Sequence, residues 1–119
     1  MFLDDLPFGL FMEIEPNIME VIINEGVQIS RQQIEQMEQG LLQKYQDHPY
    51  SLLINRKNAY SHEHDALSRV AELKNVEAMA IIAYTDATAI AAKMHLLYSN
   101  NIQIFTDKAS ALNWLKQNQ

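Results

Sequence analysis

Apolar residues along the chain follow two rhythms. Short continuous or alternating runs, GLFMEIE at 9–15, IMEVIINEG at 18–26, YSLLIN at 50–55, VEAMAIIAY at 76–84 and IQIF at 102–105, suit a pleated backbone. Between them the apolar positions recur at helical spacing: Ile34, Met37, Leu41 and Tyr45, then Ala66, Leu67, Val70 and Leu73, then Ile90, Met94 and Leu97, and finally Leu112 and Leu115. Pro16-Asn17 supplies turn chemistry between the first two runs, which therefore read as a hairpin. In its first arm Leu10, Met12 and Ile14 form the expected core face, opposite Phe11, Glu13 and Glu15.

Polar punctuation marks the helix starts. Ser30 with Gln33 three residues on makes a capping box for the first helix, which His48-Pro49 ends. Ser61 is the expected N-cap of the second helix, running to Lys74-Asn75, and Thr85 or Asp86 that of the third. Gly40 inside the first helix costs ~1 kcal/mol unless something packs close. The resulting order is β-β-α-β-α-β-α-β-α. It predicts an α/β fold with a mostly parallel sheet, an antiparallel N-terminal hairpin and helices packed on the sheet. No repeat or linker interrupts it, so residues 1–119 are expected to form one domain.

Composition narrows the function classes. The absence of cysteine removes disulfides, thiolate metal sites and a cysteine nucleophile, and fits a cytoplasmic setting. Fifteen acids against nine bases give a net charge of −6, with only Arg56 and Lys57 adjacent among the bases, which argues against nucleic acid as a partner. No apolar run approaches the ~20 residues of a membrane span, and the first residues lack the basic start of a signal peptide.

The segment order, the hairpin FMEIEPNIMEVIINEG, the helix after Ser30, the strand SLLINR and the closing IQIFTDKASALNWLKQ resemble the SpoIIAA-like group of STAS domains, over roughly residues 8–116. That resemblance implies a non-enzymatic interaction or regulatory module without a cofactor. It also implies that a serine at the start of the helix after the third strand is a phosphorylation site, a place matched here by Ser61 beside Tyr60. The Asp-Ser-Ser-Gly-like motif of the antagonists is absent, and no glycine follows Gly40. Related small bacterial proteins share likeness with lipid-transfer domains, so a carrier of an anionic or lipid-like ligand between helices and sheet is the alternative.

The polar segment NRKNAYSHEHDAL, 55–67, carries the candidate chemistry. Its first half leaves a parallel strand, where ligands of open sheets gather, so Arg56, Lys57, Asn58, Tyr60 and Ser61 form a candidate rim for an anion or a protein partner. Asn55 and Tyr84 are expected to add polar contacts to that rim. As a solvated loop base, Arg56 should tolerate reversal to glutamate without loss of folding. In a helical first turn His62 and His64 point apart and hold no metal, while Glu63 and Asp65 favour the helix dipole. No G-x-S-x-G, P-loop or dinucleotide motif occurs, and a catalytic constellation is not expected. Phe2, Leu3, Leu6, Phe8 and Phe11 are hard to bury in so small a core, and are expected either to cover a sheet edge or to form an apolar patch that a second copy covers, as a homodimer.

Overall fold

The computed structural model describes residues 6–93 and 101–118. Strands β1 (Gly9–Glu15) and β2 (Ile18–Ile23) form the antiparallel hairpin, with Asn17 at φ 65° in its turn. The short strand β3 (Gln28–Ile29) precedes α1 (Arg31–Tyr45), β4 (Tyr50–Asn55) and a second short strand, β5 (Ser61–His62). Then come α2 (Ala66–Val70), β6 (Val76–Ile82), α3 (Asp86–Lys93), β7 (Ile102–Phe105) and α4 (Lys108–Gln117). The main sheet runs β1-β2-β4-β6-β7, parallel everywhere except the hairpin, and β3 pairs with β5 in a separate parallel ribbon.

Side chains alternate across this sheet into two cores. One face, with Phe11, Met19, Val21, Leu52, Ile54, Met79 and Ile81, packs under α1, α2 and Ala92 of α3. The other, with Ile18, Leu53, Ala78, Ala80 and Ile82, packs under α4 through Ala111 and Leu115. One helix cannot cover five strands, so the outer part of this second face stays open at the hairpin. Leu10 is 44% exposed there and Met12, Ile14 and Ile22 are partly exposed. The expected core face of β1 is therefore reversed: Phe11 is fully buried, edge-on to Phe8, and Leu10 looks outward. Glu13 can share the buried side because Tyr45 donates to its carboxylate at 2.7 Å and Lys44 lies 3.4 Å away. Burial alone would raise the Glu13 carboxyl, but these partners and the Asn17 N–H outweigh it and hold it below the usual range.

The first helix begins as the sequence implies. Gln33 N donates to Ser30 Oγ at 3.1 Å and Ser30 N to Gln33 Oε1 at 2.9 Å, closing the capping box. Thr85 caps α3, accepting from Thr88 N at 3.1 Å. The stripe expected for α3 fails at its first member, since Ile90 is 66% exposed and Ala92 points inward; Met94 and Leu97 lie outside the described residues.

The second helix departs most. Ser61 is not its N-cap: Ser61–His62 is extended and pairs with Gln28–Ile29, and α2 starts four residues later, after Asp65. The ribbon wins because it satisfies backbone groups that a longer helix would take differently: Gly26 N to Ala59 O at 2.8 Å, Ser61 N to Val27 O at 3.0 Å and Glu63 N to Ile29 O at 2.7 Å. The two serines should thus behave oppositely. Ser30→Ala is expected to lower stability by ~1 kcal/mol, whereas Ser61→Ala should change it by no more than a few tenths. Urea denaturation of the two variants checks the contrast.

Candidate functional site

The ribbon shapes a cleft at the carboxyl ends of the parallel strands, where an open α/β sheet gathers ligands. Gly26, at φ +78°, turns the chain out of β2 into β3 in a backbone region that side chains avoid. Asn58 Nδ2 donates to Ile23 O at 3.0 Å and Ala59 N to Glu25 Oε2 at 2.9 Å, fastening the loop after β4 against the end of β2. With the loop held, residues 60–64 run along the lip of a cleft of about 440 Å³ lined by Arg56, Tyr60, Ser61, His62, Glu63, His64, Leu67 and Ala91.

Arg56 is the centre of the site. Two residues beyond Ile54, it emerges on the α1 and α2 face, and it is only 5% exposed. Its guanidinium carbon sits 4.2 Å from the centroid of the Tyr60 ring and Nη2 donates to Tyr60 O at 3.2 Å. No carboxylate of the described residues lies within ion-pair distance, and Nε is buried without an acceptor. Reversal to glutamate is therefore not the benign change expected of a loop base: it would bury a carboxylate against the Tyr60 ring and destabilise the fold.

Tyr60 and His62 share one side of the extended segment, their ring centroids 5.6 Å apart. Burial pushes the Tyr60 hydroxyl above its ordinary range despite the nearby Arg56 charge. Burial, reinforced by that same charge, pulls His62 down from 6.5 to about 4. The neutral imidazole is thus the form that folding favours. Its contribution is complete above pH 6.5 and is lost as pH falls from there towards 4, where the unfolded chain takes up the proton first. His62→Phe should remove on the order of 2 kcal/mol from the difference in stability between pH 7 and pH 4.5, measured by urea denaturation at both values.

The rim is smaller than the sequence implied. Arg56, Tyr60 and Ser61 meet at the cleft, joined by His62 of β5 and by His64 in the turn that follows it. Lys57 is exposed and does not line it, and the Asn58 amide is committed to Ile23. Asn55 and Tyr84 belong to the opposite face: Tyr84 donates to Asn55 Oδ1 at 2.9 Å, Asn55 to buried Glu20 at 3.0 Å, and Lys108 to the same carboxylate at 3.0 Å. Ser61 lies exposed in a strand, so a phosphate on it would not meet the N–H groups of a helix start. Among the described residues no three His, Asp or Glu come close enough together to hold a metal ion, and no helix is long and apolar enough to cross a membrane. Period-two spacing of Tyr60 and His62 is the signal that would have placed these two rings on one side of a strand.

Fold and cleft together define an α/β protein of SpoIIAA-like architecture with an open site at the strand ends. The fold is similar to the crystal structure of an uncharacterised DUF3478-family protein with a SpoIIAA-like fold from Shewanella loihica PV-4. The TM-score is 0.61 at 17% identity, covering 90% of this chain and 91% of that one. The chain belongs to the DUF7793 family, a domain of unknown function, which it matches over residues 12–119. No curated protein matches it.

Proposed function

We propose that the protein is a non-catalytic STAS-like interaction or regulatory module of the cytoplasm, acting through the mouth of the Arg56 cleft. The observation that carries this reading is the cleft itself: a concave site at the strand ends, walled by a buried cation with no carboxylate partner among the described residues, an aromatic ring and two histidines. A protein partner presenting an acidic group fits the cation at the centre. A homodimer falls within the same reading, and Leu10, Met12, Ile14 and Ile22 are the strip that it would bury.

Of the rival reading, a carrier of an anionic or lipid-like ligand between helices and sheet, the lipid-like form finds little support in the core. Behind Tyr60 and His62 lies an apolar cavity of about 30 Å³, roughly one water's share of volume and far short of an acyl chain. Affinity capture of the tagged protein from its native cells tests the interaction reading. Wild type should bring down a partner in near-stoichiometric yield, and the surface double variant Lys57→Glu, Ser61→Arg should lose it while keeping its melting temperature. Equal capture by both proteins would overturn the assignment of the cleft mouth.

A further inference from the structure

We propose that the cleft binds a small-molecule monocarboxylate with a compact apolar body, its carboxylate paired with Arg56. The proposal rests on the reading of this cleft as the functional site and names what enters it.

The case begins with what Arg56 lacks. A guanidinium carries five N–H donors and cannot shed its charge, yet this one, 5% exposed, has only Tyr60 as a hydrogen-bond partner among the described residues, and its Nε is buried without an acceptor there. The contact with the Tyr60 ring offsets part of the cost of burying a cation, but a ring face accepts no N–H in the guanidinium plane. An anionic acceptor in the cleft would balance the charge and meet the donors that Arg56 turns towards it, while Nε stays enclosed. Arg69, whose side chain is also largely buried, has its carboxylate in Glu38, although its Nη1 too is buried without an acceptor among the described residues.

Charge and shape choose among anions. Arg56 is the single Arg or Lys among the described lining residues, and Glu63 lies on the same wall. One cation balances one negative charge, so a phosphate dianion would leave an unpaired charge beside Glu63, whereas a carboxylate matches the planar guanidinium fork. Leu67, Ala91 and the ring of Tyr60 offer apolar surface to the rest of the ligand. At about 440 Å³ the cleft lies in the lower range of small-molecule sites, and the packed core behind it excludes a long chain.

The test is NMR titration of the 15N-labelled full chain with benzoate, hexanoate, inorganic phosphate and hexylamine. Benzoate or hexanoate should shift the Arg56 Nε–H and the amides of Tyr60, Ser61 and His62 saturably, with phosphate and hexylamine at least about tenfold weaker. Arg56→Gln should weaken carboxylate binding by about tenfold or more. Should that variant fail to fold, the Arg56 Nε–H shift in the wild type carries the assignment alone. Absence of saturable shifts up to roughly 20 mM carboxylate, equal binding of phosphate, or unchanged binding by folded Arg56→Gln would overturn the proposal. A cleft that ignores every probe but still loses its captured protein in the Lys57→Glu, Ser61→Arg variant would sink the carboxylate and leave the interaction reading standing.

Discussion

Phe11→Ala is expected to lower stability by about 3–5 kcal/mol, while Leu10→Ala one residue earlier should cost less than about 0.5 kcal/mol. Phe11 is fully buried under the helical layer and packs against Phe8 at 5.5 Å between ring centroids. Its truncation leaves a void bounded by the β2 side chains and α1, which the sheet cannot close without breaking its pairing with β2. Leu10 is 44% exposed on the face that α4 does not reach. Chemical denaturation of both variants decides the matter, and comparable losses would mean that the hairpin presents its other face to the core.

Arg69→Ala is the second large effect, expected at about 3 kcal/mol or more. Glu38 of α1 is 7% exposed and accepts from Arg69 Nη2 and, at 2.9 Å, from Lys74 N, so one carboxylate ties α1 to the last turn of α2 and to the loop that follows it. Burial pushes the Glu38 carboxyl up, but these donors outweigh it and hold it below its ordinary value. The stability it contributes is therefore present above the unfolded carboxylate range and is lost as pH falls through the lower folded value. Removing Arg69 leaves the carboxylate buried with one donor, whereas the double change Glu38→Leu, Arg69→Met should recover much of the loss by replacing charge with packing. Thermal melts of the single and double variants separate these outcomes. A loss below about 1 kcal/mol in Arg69→Ala would show that the pair behaves as a solvated one.

These two sites also show how far the sequence could be read. Strands that are buried on both faces, such as YSLLIN, announce themselves as continuous apolar runs, and the Ser30–Gln33 box marks its helix by local chemistry alone. β1 is different. Both of its faces carry apolar residues, and what decides between them is the number of helices on each side of the sheet, which no local pattern contains. Phe11 wins because three helices lie over its face and one over the other. α3 misleads for a related reason: Ile90 has helical spacing, but the small Ala92 is the residue that fits against the core.

The segment from Ser61 to Asp65 was the least legible. Serine followed by acids is a sound helix start, and Gln28–Ile29, the two residues that capture it as a strand, are too short a run to declare themselves. A helical reading of 61–65 leaves His62 and His64 on the surface, whereas the strand at 61–62 and the turn after it set both beside the cleft. Arg56 follows directly on a parallel strand, and that position is legible in the sequence. Its burial against Tyr60 depends on the ribbon that folds Tyr60 back over it, a tertiary arrangement invisible in the residues themselves.

Site-specific photocrosslinking in the native cell tests the central claim most directly. One protein would carry p-benzoylphenylalanine in place of exposed His64 at the cleft lip, another in place of exposed Asn113 on α4, across the sheet. The account predicts a discrete crosslinked partner from position 64 and none from position 113. A partner captured from position 113 alone would place the working surface on the α4 side and contradict it.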